Sequence, residues 1–331
     1  MKLSVIICTF MRVESLELIL DSIDKQNRLP DQVIIVDSSF NDSCKKLVEN
    51  SNYSFVYSYT LVGEEFRGLT LQRNFGISKV DSSMDLVSFL DDDLVLKADY
   101  FEKIVSTFQK YESAIGVGGI DLVENTFFET DKKSPSFFYY ELDGWFIKES
   151  LRNLVRKSFG LMSNKQPFVV PPYGHGRSVL PPNGKVYAVE HFMGGIATYR
   201  LSLFKEISFS EYFQGYGLYE DFDFCVRALK FGKLYINTAA QVWHYHDDSG
   251  RPNFFKYGKM VVRNGWFVWK LRFTNISAIN VFKWHMITLL LANLRLVNSI
   301  LGPNRKKAFL DYCGRMVGWV SLFFDSPKIV R

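Results

Sequence analysis

Between residues 3 and 91, four short β-rich runs alternate with segments of helical periodicity, and this restricts the fold more than any other feature of the chain. The runs are LSVIICT (3–9), QVIIVD (32–37), SFVYSYTL (54–61) and LVSFLD (86–91). The first is apolar throughout, as a strand buried on both faces would be. Val13, Leu16, Ile19, Leu20 and Ile23 then recur at three- and four-residue spacing, which predicts a helix. A second helix is predicted over much of 68–79. Asp99 and Glu102 have capping-box spacing ahead of Phe101, Ile104, Val105 and Phe108. Strands alternating with helices predict an α/β domain with a mainly parallel sheet flanked by helices. Ligands of such sheets sit at the carboxyl ends of the strands. Thr9, Asp37 and the triplet Asp91, Asp92 and Asp93 all fall at ends of that kind, although a polar residue also ends many strands with no functional role.

Beyond residue 110 the pattern loosens. SNKQPFVVPPYGHGRSVLPPNG (163–184) holds five of the ten prolines, and a loop of this length within a compact domain is usually functional or mobile. VYAVEHF (186–192) reads as a strand. LYINTAAQVWHYH (234–246) reads as strand, turn and strand, ending at His244 and His246. The four cysteines show no CxxC pair and no zinc spacing, so free thiols in a reducing compartment are expected. The N-terminal apolar run reaches Arg12 too early for a signal peptide and reads better as the first strand. No membrane span is expected, because the best candidate, INVFKWHMITLLLANLRLVNSIL, is interrupted by Lys283, His285 and Arg295.

The triplet in VSFLDDDLVL calls for a physical explanation, since three like charges interrupt an otherwise apolar run. Carboxylates in this pattern are hard oxygen ligands for Mg²⁺ or Mn²⁺, and a divalent ion relieves their mutual repulsion. Magnesium is commonly held by one or two carboxylates together with diphosphate oxygens. The plainer alternative is a charged turn in solvent, which the framing FL and LVL disfavours.

With these residues in view, the chain resembles family 2 glycosyltransferases of the GT-A fold, a Rossmann-like sheet plan, over about residues 3–250. SVIICTFMR resembles the family's opening strand and its T-x-x-R tail, and IIVDSSFND its VDDGSxD segment. RGLTLQRNFGI resembles G-x-x-x-ARNxG, FLDDDLVL the DxD strand, and FMGGIATYR the acceptor-side GG…R segment. YEDFDFCVRALKFG resembles the ED-x-D…R…G helix and VWHYH the closing histidine. One departure stands out: VDSSFND carries two serines where the family has an aspartate and a glycine, which bears on how base and ribose are held.

The resemblance implies an inverting sugar transfer from a UDP-, GDP- or dTDP-linked donor to a glycan or lipid-linked oligosaccharide, as in surface-polysaccharide synthesis. It implies Asp91 and Asp93 as contacts of Mn²⁺ or Mg²⁺, with His244 or its neighbour His246 completing the set, and Asp92 facing the donor. Asp221 is implied as the general base, with Glu220 bonding a sugar. Their plainer role is to complement a helix N-terminus. Thr9, Arg12 and Asp37 would lie beside the nucleotide and Arg73 beside phosphate. Asn74 would contact the donor or cap a helix. Gly194 and Gly195 would permit close approach to the sugar or form a simple turn. A sugar-phosphate nucleotidyltransferase would need a Gly-rich, Arg-containing loop where the chain has CTFMRVES. A DxDxT phosphatase would need a threonine where the chain has Leu94 and Val95. A glycan-binding module without catalysis is the non-enzymatic alternative.

Charge divides the chain. Residues 251–331 hold 14 Lys and Arg against 2 Asp and Glu, a net +12, whereas 1–250 hold 26 against 33. Two parts are therefore expected: a transferase domain over 1–250, with a nucleotide-sugar half (1–125) and an acceptor half (126–250), and a helical basic extension over 251–331. With Trp266, Trp269, Trp284 and Trp319, that extension suits the inner face of the cell membrane, which makes the protein cytoplasmic and peripheral. A homo-oligomer interface is the other reading. No nucleic-acid module is present, so no nucleic-acid partner is expected.

Overall fold

The computed structural model describes residues 1–129, 136–213, 215–245 and 253–329. The chain divides into two compact units, residues 1–128 with 179–250 and residues 129–178 with 251–331. The segment 129–178 thus groups with the C-terminal helices rather than with 179–250.

The first unit is built on β1 (Leu3–Thr9), β2 (Gln32–Asp37), β3 (Tyr57–Leu61), β4 (Leu86–Asp91), β5 (Leu94–Leu96) and β6 (Ala114–Asp121), with α1 (Val13–Asp24), α2 (Ser43–Asn50), α3 (Leu69–Ile77) and α4 (Tyr100–Lys110) between them. The two-residue strand β7 (Phe128–Glu129) ends this stretch of chain. In the second unit follow β8 (Tyr139–Leu142), β9 (Trp145–Lys148) and α5 (Leu151–Ser158). The first unit resumes with β10 (Val186–Val189), β11 (Ile196–Arg200), α6 (Glu220–Ala228) and β12 (Lys233–His244). Its sheet has nine strands in the order β10-β12-β6-β11-β4-β1-β2-β3, with β5 beside β12. β3, β2, β1 and β4 are mutually parallel, and β6 and β12 run parallel to each other. β11 enters antiparallel between β4 and β6, so six of the nine strands share one direction. The expected mainly parallel α/β sheet is therefore present. Its apolar runs form a core in which Val5, Val33 and Leu90 from the strands pack with Leu20, Phe101 and Ile104 from α1 and α4.

Three local expectations change. Regular β3 pairing starts only at Tyr57, because Asp24 takes the Ser54 N–H at 2.6 Å and Phe55 turns inward to stack on Tyr53. The expected strand, turn and strand over 234–246 is one strand whose register shifts between Ile236 and Gln241. There the Asn237 side chain accepts the Ala239 N–H and donates to Thr107, so the extra residues form a bulge instead of a reversal. The capping box of α4 is not made. Asp99 offers no side-chain cap bond and faces Lys103 at 3.8 Å, while Glu102 accepts from Asn27.

In the second unit β8 and β9 form an antiparallel hairpin, and Ser150 caps α5 by accepting the Asn153 N–H. Glu149 is buried between Arg177 and Lys157, at 2.7 and 2.8 Å. α7 (Phe254–Arg272), α8 (Ala278–Leu301) and α9 (Arg305–Ser321) follow, with Asn253 and Ser277 as side-chain caps of α7 and α8. Two of the four tryptophans expected at a membrane interface, Trp269 and Trp284, are core residues instead. Trp269 and Trp284 stack at 5.4 Å and are each 2% exposed, with Trp266 edge-on to both. Trp319 donates to His285 at 3.0 Å. Large rings from three helices pack together in a core of this unit. By length and composition alone, α8 reaches what crossing a membrane requires, despite its interrupting polar residues.

Candidate active site

β1, β2 and β4 end side by side, with Thr9 paired to Asp37 and Cys8 to Asp91. The turn after β4 sends three carboxylates in three directions. Asp92 is buried, accepting from Thr9 Oγ1 at 2.7 Å and from Arg12 at 2.9 Å. Burial pushes its carboxyl up to about 6 against the pull of Arg12 and Thr9. Asp93 faces His244 Nε2 at 2.9 Å and Arg12 at 3.6 Å. Asp91, about one-third exposed, faces Arg73 at 3.4 Å. Met11, in the loop that carries Arg12, adopts a left-handed backbone (φ 57°) and donates its N–H to Ser39 Oγ.

Asp91, Asp93 and His244 each present a ligand atom within 4.8 Å of the others. Two carboxylates and an imidazole suit Mn²⁺ or Mg²⁺. β12 delivers the histidine because it pairs with β5, setting His244 opposite Leu94. Burial pulls the imidazole pKa down, but the Asp93 hydrogen bond and the charges of Asp91 and Asp93 outweigh it and hold it above its ordinary value. His246 lies outside the described residues.

The second pair of acids opens α6. Tyr219, just before it, is in the left-handed region (φ 73°), and Glu220, Asp221 and Asp223 occupy the first turn. Glu220 is buried against Arg73 at 2.5 Å, and its other oxygen, Oε2, is buried with no hydrogen-bond partner. Burial raises its carboxyl to about 8 in spite of Arg73. Asp221 accepts the N–H groups of Phe222 (2.7 Å) and Gly194 (3.3 Å), and burial raises it too. Asp223 is spent on Arg227, an ion pair within the helix.

Gly194 and Gly195 join the two sets of acids. A Cβ at Gly194 would sit 2.5 Å from Glu220 Oε1, 2.8 Å from Arg73 Nη1 and 3.0 Å from Asp221 Cβ. One at Gly195 would overlap the Asp91 carboxylate. The pair forms a turn that leads into β11 and has no positive φ, and the missing side chains make room for the acids themselves.

Some residues singled out in the sequence are committed elsewhere. Both amide atoms of Asn74 bond the backbone of Phe209, each at 2.9 Å, so Asn74 braces a loop instead of capping a helix. Asp37 is fully buried, with one oxygen taken by the N–H and hydroxyl of Ser39 and the other by the Tyr59 hydroxyl at 2.6 Å. Arg73 lies between Glu220 and Asp91, with Phe89 and Phe209 against its guanidinium.

Sequence reasoning missed others. Gln72 donates to the carbonyls of Thr9 and Val36 and so ties the ends of β1 and β2 together. Asp121, at the end of β6, accepts the N–H of His244 and caps its own turn at Val123. Phe40, which is 69% exposed, carries Arg67 4.3 Å above its ring and Phe10 edge-on. Only Asp121 had a signal in the sequence, a strand-end aspartate like the others.

Residues 4–165 match the model of Glycosyl transferase family 2. Over 122 residues the chain is 29% identical to a glucosyl-dolichyl phosphate glucuronosyltransferase of Haloferax volcanii, covering 36% of this chain. That match spans 38% of the curated relative's length. In fold the chain is similar to the mannosyltransferase PcManGT from Pyrobaculum calidifontis, solved with GDP-Man and Mn²⁺. The TM-score is 0.56 at 13% identity, over 98% of this chain and 88% of that one. It is also similar to GalNAc-T7, solved with UDP, GalNAc and Mn²⁺, with a TM-score of 0.51 at 16% identity over 81% of this chain and 50% of that one. The sheet order, the acid-tipped strand β4 and the family match agree: residues 4–165 carry the match to Glycosyl transferase family 2, and the sheet has the GT-A fold.

Proposed function

We propose that the protein is a metal-dependent inverting glycosyltransferase, moving a sugar from a nucleotide-sugar donor to a hydroxyl of a glycan or lipid-linked oligosaccharide. One observation carries this reading. The candidate ligands Asp91, Asp93 and His244 lie at the same end of the sheet as buried Glu220 and half-buried Asp221, and Arg73 pairs with both Asp91 and Glu220.

Asp91, Asp93 and His244 would hold Mn²⁺ or Mg²⁺. Such an ion, when bound, acts as a Lewis acid that neutralises a departing diphosphate. Thr9 and Arg12 hold Asp92 in place beneath the site, and Gly194 and Gly195 let the Asp91 and Glu220 carboxylates approach the strand closely. Asp221, the more open acid of its pair, takes the acceptor hydroxyl proton, and its two backbone N–H bonds fix its direction. Glu220 Oε2, buried without a hydrogen-bond partner, would bond a sugar hydroxyl. An inactive glycan-binding module would have no need to keep this costly set of buried charges. The basic C-terminal unit places the enzyme at the inner membrane surface, where a lipid-linked acceptor resides.

Asp221→Asn should lower kcat by about 10²–10⁴ with donor binding retained. Screening UDP-, GDP- and dTDP-sugars for Mn²⁺-dependent thermal stabilisation selects the donor for that assay. Wild-type turnover in D221N would remove Asp221 from the base role.

A further inference from the structure

α8 is apolar on two sides. Trp284, Ile287, Leu291 and Ala292 are buried within the second unit. Ile279, Phe282, Met286, Val297, Ile300 and Leu301 are 57, 59, 37, 45, 62 and 79% exposed. At 3.6 residues per turn these six fall within an arc of about 100° on the side away from the buried residues. Lys283 and Asn293 are the polar residues in that arc. A helix that is apolar all round is normally buried all round. Here one face has its partners inside the unit and the other faces solvent along the full 24 residues.

The charge around this face identifies its partner. Directly after Leu301 come Gly302, Pro303 and Asn304, then the exposed Arg305, Lys306 and Lys307 that open α9. The whole segment 251–331 is +12. An interfacial helix has this make-up, an apolar stripe with cations beside it. A cationic rim also complements anionic headgroups, whereas a second copy of the same +12 surface would be repelled.

We propose that the exposed stripe of α8 docks on an anionic lipid bilayer, lying in the headgroup region with Arg305, Lys306 and Lys307 on lipid phosphates. The helix lies on the membrane rather than crossing it, because its opposite face holds Trp284 and Ile287 in the core of the unit. This gives the membrane part of the proposed function a surface. Vesicle binding reads it without donor or turnover, so failure of the transferase reading leaves the test intact.

The test is sedimentation of the full chain with large vesicles of phosphatidylcholine alone, or containing roughly one-third phosphatidylglycerol. The protein should sediment with the anionic vesicles and more weakly with the neutral ones. Exchanging Arg305, Lys306 and Lys307 for Gln should remove that preference. Ile300→Asp with Leu301→Asp should weaken binding at least about tenfold with unchanged circular dichroism. Ile300→Ser with Leu301→Ser serves if the aspartates disturb folding. No sedimentation with anionic vesicles, or wild-type binding by a folded stripe variant, overturns the proposal. So does a wild-type dimer that the stripe variants convert to monomer without loss of vesicle binding, which would make the face a contact between copies.

Discussion

Adding one methyl group at either of two adjacent glycines should produce opposite defects. In Gly195→Ala the new Cβ falls on the Asp91 carboxylate, while the backbone N–H of Asp91 remains bonded to the Gly195 carbonyl at 3.1 Å and β11 remains in register with β4. The strands are pinned, so the carboxylate must move. It can do so, since the Asp91 side chain is 34% exposed and its pair with Arg73 is long, at 3.4 Å. Position 195 has no positive φ, so alanine adds no backbone strain. The fold should therefore lose less than about 1 kcal/mol, a few degrees in Tm at most. The candidate metal site should lose one of its three ligands, weakening Mn²⁺ affinity by about 10²-fold or more. In Gly194→Ala the methyl meets Glu220, Arg73 and Asp221, and the Arg73–Glu220 pair is 3% and 5% exposed. Neither partner has solvent to swing into, so overpacking should cost about 1–3 kcal/mol. Urea denaturation and Mn²⁺ titration calorimetry of both proteins separate the two effects. Wild-type Mn²⁺ affinity in a stably folded G195A would refute the placement of Asp91 as a ligand, and wild-type stability in G194A would refute the crowding.

Other consequences follow from buried groups. Burial holds the folded Glu220 carboxyl at about 8, while the unfolded chain titrates near the ordinary 4.5, so its contribution to stability falls as pH rises through that window. Glu220→Gln should flatten that fall in denaturation measured from about pH 5 to pH 8, and an unchanged slope would assign it to other groups. Tyr59→Phe leaves the Asp37 oxygen without its 2.6 Å donor in a fully buried site and should cost about 1–3 kcal/mol; a neutral result would mean that water reaches Asp37. Trp284→Ala should cost about 3–5 kcal/mol by removing the ring stacked on Trp269, and a loss below about 1 kcal/mol would deny the tryptophans their role as a core.

What the sequence disclosed depended on whether a signal was local. β1, β2 and β4 match their apolar runs to the residue, because a fully buried strand needs an unbroken β-rich run and has nothing else to be. The grouping of Asp91, Asp93 and His244 came only from the resemblance to the family: Asp91 and His244 end strands, but Asp93 sits in the turn between β4 and β5, and nothing local says that the three converge. β12 was misread as two strands because INTAA resembles a turn, while the bonds from Asn237 that make it a bulge come from α4, far away in the chain. The C-terminal tryptophans were misread because composition records how many rings there are and not which way they face. The same gap hid the exposed stripe on α8. Gln72 and Tyr59 lie within ordinary elements with no spacing signal, and their roles exist only once β1, β2 and β3 are side by side.

The aspartate triplet shows how a fold tolerates what a sequence makes look costly. Two unit charges 4 Å apart repel by about 4 kcal/mol at a surface-like effective dielectric of 20, so three side by side would be untenable if all faced one way. The turn after β4 aims each at a different partner: Asp92 inward to Arg12 and Thr9, Asp93 across to His244, Asp91 outward near Arg73. The four partners come from β1, the loop after it, α3 and β12, which meet at the carboxyl end of the sheet. Compensation is incomplete by design of the geometry, because Asp91 and Asp93 still converge with His244 on one small space. Arg73 cannot neutralise Asp91 fully while it is held at 2.5 Å by Glu220. The least compensated of the three is therefore Asp91, which is about one-third exposed with only a long pair to Arg73, whereas both oxygens of Asp92 are already bonded.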